Sequence, residues 1–113
     1  MAIGSGSHQY EVGDGWGALP QGMAYGYTHG IEIDSDDNVV IFNQSKDAVV
    51  IFDRDGGFKS SWGAEFQKGA HGLFLSEEDG IEYLYLADNA QHCVVKTKID
   101  GTEVYRLGVP PLS

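Results

Sequence analysis

Two histidines combine a metal-binding side chain with a repeated sequence context. His29 and His71 lie 42 residues apart, and each is followed by a glycine and a branched aliphatic residue, over 29–31 and 71–73. Neutral imidazole is a common zinc ligand, and three histidines plus a water form a recognised zinc arrangement. The alternative is structural, because an imidazole at the start of a strand can also bond a neighbouring loop carbonyl. The pattern therefore predicts two equivalent metal-ligand candidates.

The other candidate groups are better explained by structure. The run 34–38 is rich in Asp and Asn but lacks the glycine and the distal glutamate of an EF-hand calcium loop. Such residues favour a hairpin turn, since they bond their own main chain. Cys93 is the only cysteine of the chain and falls in a strand pattern, which indicates a buried thiol rather than a nucleophile.

These candidates sit in a chain that repeats itself. Residues 43–56 align without a gap on residues 88–101, 45 positions later, and both copies end in Asp-Gly. The histidine triplets are only 42 residues apart because the second copy has three more residues in its first turn. A period of this length is typical of propeller blades and solenoid units.

Short strands separated by turns account for each copy. Apolar and polar residues alternate, or form short apolar runs bounded by Asp, Asn, Ser or Gly, and no segment has a sustained helical period. Four antiparallel strands in about 45 residues make a propeller blade. The sequence predicts an all-β fold without helices. Its strands are expected at 31–33, 39–42, 48–52 and 57–63 in the first copy and at 73–75, 83–87, 93–98 and 103–107 in the second.

One further segment, 10–17, resembles the closing strands of both copies, 57–63 and 102–108. It predicts an outer blade strand without its three companion strands. The predicted organisation is a flexible lead at 1–9, a two-blade propeller segment at 10–108 comprising the extra outer strand at 10–17, the first blade at 29–63 and the second at 71–108, and a tail at 109–113.

Two blades cannot close a ring, so their outer apolar faces predict association. A head-to-tail interface closes most simply as a cyclic oligomer. Three copies would give six blades, with residues 10–16 of one chain completing a blade of its neighbour. The competing explanation is that the chain is the front third of a longer six-bladed protein.

Charge and hydropathy narrow the classes of partner. The chain carries 17 acidic and 7 basic residues, a formal charge of −10, which argues against nucleic acid binding. No segment approaches the roughly 18 apolar residues of a membrane span. Residues 1–7 are rich in Gly and Ser and lack the apolar core of a secretion signal, so the expected compartment is the cytoplasm or is undetermined.

The repeat resembles that of NHL-type six-bladed β-propellers. The resemblance rests on the two His-Gly triplets, the acidic turn after the first, the apolar runs 39–42 and 83–87, the stretch 89–95 with its Asn and His, and the closing Asp-Gly pairs. It covers 10–108. Within that group the chain looks most like bacterial relatives of peptidyl-α-hydroxyglycine α-amidating lyase.

The lyase resemblance implies a zinc site in the channel, with His71 and His29 among its ligands, and a structural calcium bound partly by the backbone carbonyls of Ile31 and Leu73. It also implies a catalytic arginine at the position that Gln44 occupies. A guanidinium is always charged, whereas an amide is neutral. Losing such a contact lowers the rate on the order of a hundredfold.

The predicted function is therefore a non-enzymatic NHL-like module that self-assembles, most simply as a trimer, and binds a small molecule, peptide or partner at its channel or rim. The alternative is a zinc-dependent peptidyl-α-hydroxyglycine amidating lyase-like enzyme with weakened or lost activity, with His71 and His29 at the metal and Gln44 as a weakened polar contact.

Overall fold

A computed structural model describes residues 15–108 in full and the backbone of residues 2–5 and 8–11. The described residues contain ten β-strands and one turn of 3-10 helix at Ala64–Phe66. The helix is a small departure from the all-strand prediction. The strands are β1 (Ala2–Ser5), β2 (His8–Glu11), β3 (Thr28–Ile33), β4 (Val39–Asn43), β5 (Val49–Phe52), β6 (Phe58–Trp62), β7 (Ala70–Glu78), β8 (Ile81–Asp88), β9 (Cys93–Lys98) and β10 (Glu103–Leu107).

Two four-stranded antiparallel sheets make up the fold. The first sheet has the order β3-β4-β5-β6 and the second β7-β8-β9-β10, so each copy of the sequence repeat folds as one meander. The all-β prediction and the four strands of each copy are confirmed. None of the described residues forms a helix long and apolar enough to cross a membrane.

The hairpin between β7 and β8 is longer than the sequence predicted. These strands pair from Ala70↔Asp88 to Glu78↔Ile81, so only Asp79 and Gly80 remain in the turn. Both residues have positive φ, 54° and 81°, as a tight two-residue hairpin requires. The acidic residues before the turn had suggested a longer loop. Instead they extend β7 beyond the predicted 73–75.

The main hydrophobic core lies between the two sheets. Val40, Phe42, Val49 and Ile51 of the first sheet pack in one buried cluster with residues of the second sheet, and Phe66 of the connecting segment belongs to the same cluster. Alternating residues of a strand point to opposite faces, so these positions define the inner face of the first sheet. The contribution from the second sheet is Leu84, Leu86, Cys93 and Val95.

The first strands of the two sheets, β3 and β7, lie side by side, and a glycine permits this close approach. A β-carbon placed on Gly30 would lie 2.5 Å from the β-carbon of Leu73. Such a contact is far inside van der Waals separation, so a larger residue would push the strands apart. This glycine immediately follows the first candidate histidine.

The opposite faces of the two sheets differ. On the first sheet, Ile41, Val50 and Phe52 form a second buried cluster, against which Leu19 packs. On the second sheet, large apolar side chains remain exposed, among them Phe74 at 60% and Leu107 at 61%. One outer face is therefore partly covered by the chain itself and the other is open.

The predicted extra outer strand lies partly outside the described residues. Residues 8–11 pair with residues 2–5 as the antiparallel hairpin β1–β2, and residues 15–17 form a turn. The predicted flexible lead overlaps this hairpin, and the predicted tail at 109–113 lies outside the described part of the chain. The role of 10–17 as an outer blade strand stays a prediction.

Candidate ligand site at the histidine rim

The two candidate histidines meet at one rim of the stacked sheets. His29 lies in β3 and His71 in β7, and their ring centroids are 5.0 Å apart with an interplanar angle of 58°. Both residues are exposed. They meet because they hold equivalent places in the repeat and because Gly30 lets the two strands come close. The sequence had identified the pair, and the stacking of the sheets brings it together.

Gln44 reaches the same rim from the end of β4. Its Nε2 lies 3.4 Å from Nε2 of His29, and it donates a hydrogen bond of 3.2 Å to the carbonyl of Ala70. The backbone N–H of Gln44 donates to the carbonyl of Tyr27 at 2.8 Å. Three residues singled out from the sequence, Gln44 and the two histidines, are thus neighbours.

Asn43 fixes the loop that carries Gln44. It is fully buried, and its amide nitrogen donates to the carbonyls of Asp47 and Ala48 at 3.0 and 3.2 Å. Its amide oxygen accepts from the N–H of Gly26 at 3.0 Å. A buried amide with both its groups bonded holds its surroundings in one arrangement.

Asp88 performs the equivalent task in the second sheet. Its carboxylate is buried and accepts from the backbone N–H groups of Ala90 and Gln91 at 2.9 and 2.8 Å, and from the Gln91 side-chain amide at 2.8 Å. This loop ends at His92, whose φ of 55° lies in the left-handed region. The carboxylate is thus committed to the loop rather than offered to a ligand.

A cavity of about 390 Å³ opens beside His71, and no sequence pattern predicted it. Its walls are mostly apolar, with two imidazoles and one carboxylate among them. A volume of this size falls within the range of small-ligand pockets. It is lined by His71, Ala87, Asp88, Asn89, His92, Cys93, Val94, Leu107 and Gly108.

Cys93 in the wall of this cavity is a buried thiol. Burial raises its pKa, while the positive charge of Arg106 opposes that effect. A thiol with a raised pKa is mostly protonated at neutral pH and is a poor nucleophile. The environment thus fits the structural role predicted for Cys93.

The rim supplies two metal donors from this chain. Among the residues that the structure describes, no three His, Cys, Asp or Glu side chains are grouped to hold a metal ion. A zinc ion held by three imidazoles would therefore take a ligand from outside these residues. Ile31 and Leu73, the positions implied for calcium binding, lie on the two adjacent strands β3 and β7.

A second polar cluster occupies the open face of the second sheet. Nζ of Lys96 lies 2.6 Å from Oε1 of Glu78 and 4.3 Å from the ring centroid of Tyr83. The hydroxyl of Tyr85 donates to Oε2 of Glu78 at 2.7 Å. The hydrogen bonds from Lys96 and then Tyr85 lower the pKa of Glu78. Sequence reasoning missed this cluster because it depends on the register of three strands.

Comparison of the chain with protein-family models, curated proteins and solved structures gave no match. The resemblance to NHL-type propellers accordingly rests on the sequence pattern alone.

Proposed function

We propose that the chain is an NHL-like β-propeller segment that assembles with further copies into a ring and binds a ligand at the rim where His29 and His71 meet. The observation that carries this proposal is the bare face of the second sheet. Phe74, Tyr105 and Leu107 are exposed on it, whereas the aligned face of the first sheet, with Val40, Phe42 and Val49, is buried against the second sheet. Contiguous exposed apolar side chains mark interaction surfaces.

The kind of contact that the two sheets already make supports a ring. The first sheet uses one face and the second sheet uses the opposite one, so the contact is head-to-tail. A head-to-tail contact repeated between copies closes into a cyclic oligomer when the rotation permits. Three copies would bring together six sheets, the number expected for this kind of propeller.

The ligand site combines the histidine pair, Gln44 and the neighbouring cavity. Two imidazoles and an amide offer hydrogen-bonding groups for a small molecule or a peptide, and the apolar walls offer a surface for its side chains. Zinc is the expected metal at His71 and His29, with a further ligand from a neighbouring copy. Calcium on the ring axis would use the carbonyls of Ile31 and Leu73.

Native mass spectrometry and light scattering test the assembly. The expected particle has three times the 12.3 kDa mass of one chain. A monodisperse particle of 12.3 kDa over a wide range of concentration would contradict the proposed assembly. Elemental analysis of protein purified without an affinity tag tests the metal. The expected content is at least one zinc per three chains, which a His71→Ala variant should lose.

A second candidate is a zinc-dependent peptidyl-α-hydroxyglycine amidating lyase-like activity. One observation favours it: Gln44, at the position of the family's catalytic arginine, lies 3.4 Å from the ring of His29. Release of glyoxylate from an α-hydroxyglycine peptide is the assay. Metal-dependent turnover that His71→Ala abolishes would establish the activity, and its absence in zinc-loaded protein would exclude it.

A further inference from the structure

The open face of the second sheet is the repeat equivalent of the buried inner face of the first. Aligning 40–63 on 85–108, at the same offset of 45 positions, pairs Val49 with Val94 and, one strand earlier, Phe42 with Ala87. Val49 and Phe42 are fully buried against the second sheet. Val94 and Ala87 belong to the other face of the second sheet, which no sheet among the described residues covers. Equivalent faces of the two sheets are therefore buried in the first sheet and exposed in the second.

Through the repeat, the 390 Å³ cavity of the second sheet corresponds to the place that Phe66 fills beside the first sheet. Phe66 is 1% exposed and lies edge-on to Phe42, with ring centroids 5.6 Å apart. A β-carbon placed on Gly63 would lie within 4 Å of both Phe66 and Ala48. Gly63 and Ala48 align with Gly108 and Cys93 of the second sheet, and both of these residues line the cavity. Among residues 15–108, no bulky apolar side chain takes the place in this cavity that Phe66 takes beside the first sheet.

Trp16, which precedes the first sheet, makes the same kinds of contact as Trp62, which ends the last strand of that sheet. The indole N–H of Trp62 donates to the carbonyl of Ile99 at 3.1 Å, and that of Trp16 donates to the carbonyl of Arg54 at 3.0 Å. Arg54 and Ile99 are equivalent positions of the repeat. Both tryptophans are also followed by Gly-Ala. Trp16 therefore sits on the first sheet as Trp62 sits on the second.

The glycines beneath the two indoles support this equivalence. A β-carbon on Gly101 would lie 2.8 Å from the ring of Trp62, and one on Gly56 would lie 2.8 Å from the ring of Trp16. These glycines are aligned positions of the repeat. The indole hydrogen bond and the contact with the glycine are two independent contacts. They place Trp16 against the first sheet as Trp62, from the outer strand β6, is placed against the second sheet.

Leu19 extends the equivalence to the cavity. It follows Trp16 by three residues and packs against the cluster of Ile41, Val50 and Phe52, the first two of which are equivalent to Leu86 and Val95. Those two residues share a buried cluster with Phe66, which follows Trp62 by four residues. Leu19 is only partly buried, so it retains surface for a second partner.

We propose that the second sheet of one copy docks on the first sheet of another, with Leu19 of the docking partner filling the cavity beside Cys93 as Phe66 fills its equivalent within the chain. This inference rests on the proposed assembly and specifies its contact. Ile31 and Ile33, exposed on the same face of the first sheet as Ile41, would be buried in the contact.

The docked arrangement requires an exchange at the outer edge. Leu107 is the equivalent of Trp62, so Leu107 of one copy and Trp16 of the other need the same place beside Arg54. Trp16 keeps a hydrogen bond there that a leucine cannot make. All five residues of β10 are exposed in this chain. The side chain of Leu107 therefore gives way to the indole of Trp16, while the strand that carries it remains in the wall of the cavity.

The charge on the open face does not prevent burial. Lys96 stands where the first sheet has Ile51, but it is paired with Glu78 and lies over the ring of Tyr83. Covering an ion pair costs desolvation energy, but a pair whose partners are already bonded leaves no uncompensated charge, which would cost far more. The cluster would thus enter the contact intact.

A single cysteine substitution tests the contact. Leu19→Cys adds one thiol to a chain whose only other thiol is Cys93. The two positions lie on different sheet faces of one chain, with the first sheet between them, so only a link between copies is expected. In an oxidised glutathione buffer, non-reducing electrophoresis should show covalent species that end at three chains. Thr102→Cys, in an exposed turn, is the control and should remain monomeric.

Surface variants test the open face by analytical ultracentrifugation. Phe74→Asp, on the open face, should weaken association at least tenfold, whereas Thr102→Asp, in an exposed turn away from that face, should not weaken it. Unchanged association for Phe74→Asp together with no Leu19–Cys93 link would overturn this contact while leaving assembly itself in place. A tenfold loss for Thr102→Asp as well would also overturn this contact. A chain that is monomeric throughout would overturn the assembly and the contact together.

Discussion

The first and second sheets are two copies of one repeat, yet only the first is covered on both faces over its middle strands. The second sheet and Phe66 cover its inner face, and Leu19 lies on the other. The second sheet is covered on one face, while Phe74 on the other is 60% exposed. The repeat therefore specifies a sheet with two faces to bury, and the connecting segments determine which of those faces are covered.

The largest expected effect comes from removing the side chain that completes the first sheet. Phe66→Ala should destabilise the chain by about 3–5 kcal/mol, because it opens a cavity in the core between the sheets. Phe74→Ala is the control, since that ring is exposed, and should change stability by less than about 1 kcal/mol. Urea unfolding followed by circular dichroism measures both. Equal effects would show that the two faces do not differ as the exposures indicate.

The glycines of the two histidine triplets give a second comparison of the sheets. A β-carbon on Gly30 would lie 2.5 Å from the β-carbon of Leu73, whereas one on Gly72 would lie 3.4 Å from that of Ala87. Gly30→Ala should therefore cost about 1–3 kcal/mol through overpacking. Gly72→Ala should be neutral within about 0.5 kcal/mol.

The same pair also separates folding from association. Gly72 lies on the open face of the second sheet, so Gly72→Ala should weaken the proposed assembly while leaving the thermal midpoint of the isolated chain unchanged. Thermal unfolding at low concentration and sedimentation at high concentration supply the two measurements. A Gly72→Ala variant as unstable as Gly30→Ala would remove the distinction between the sheets.

Most of this architecture could be predicted from the sequence, because alternation and turn residues are local signals. The strands of both copies and the equivalence of His29 and His71 followed from the repeat. The cavity could not be predicted, because it depends on how the strand ends that carry His71, Ala87 and Leu107 come together. The contact between Gln44 and His29 required the packing of two strands. The matched Trp-Gly-Ala segments at 16–18 and 62–64 were a signal for the role of Trp16.

The two tryptophans allow a test of whether their contacts are equivalent. Trp16→Phe and Trp62→Phe each remove one hydrogen bond from an indole to a backbone carbonyl while keeping an aromatic ring. Each should lower stability by about 0.5–1.5 kcal/mol, with Trp16 at the lower end because its site is more exposed. Urea unfolding of both variants and of the double variant measures the two effects. No effect of Trp16→Phe alongside a clear effect of Trp62→Phe would contradict the equivalence.

The smallest expected effect concerns the ion pair that distinguishes the open face from its buried counterpart. The first sheet has Ile51 where the second has Lys96, whose hydrogen bond is the main cause of the lowered pKa of Glu78. A carboxyl whose pKa is lower in the folded chain stabilises the fold above its ordinary pKa of 4.5. That contribution is lost as the pH falls through the folded-state value.

Glu78→Gln should therefore lower the thermal midpoint at neutral pH by a small amount, and the difference from the unsubstituted chain should shrink as the pH falls below 4.5. In Lys96→Met, carboxyl titration by NMR should place the pKa of Glu78 closer to its ordinary value, because the principal hydrogen bond is gone. A difference in midpoint that stays constant from neutral to acidic pH would mean that Glu78 acts through packing. In that case the packing of Glu78, and not its ion pair with Lys96, would stabilise the open face.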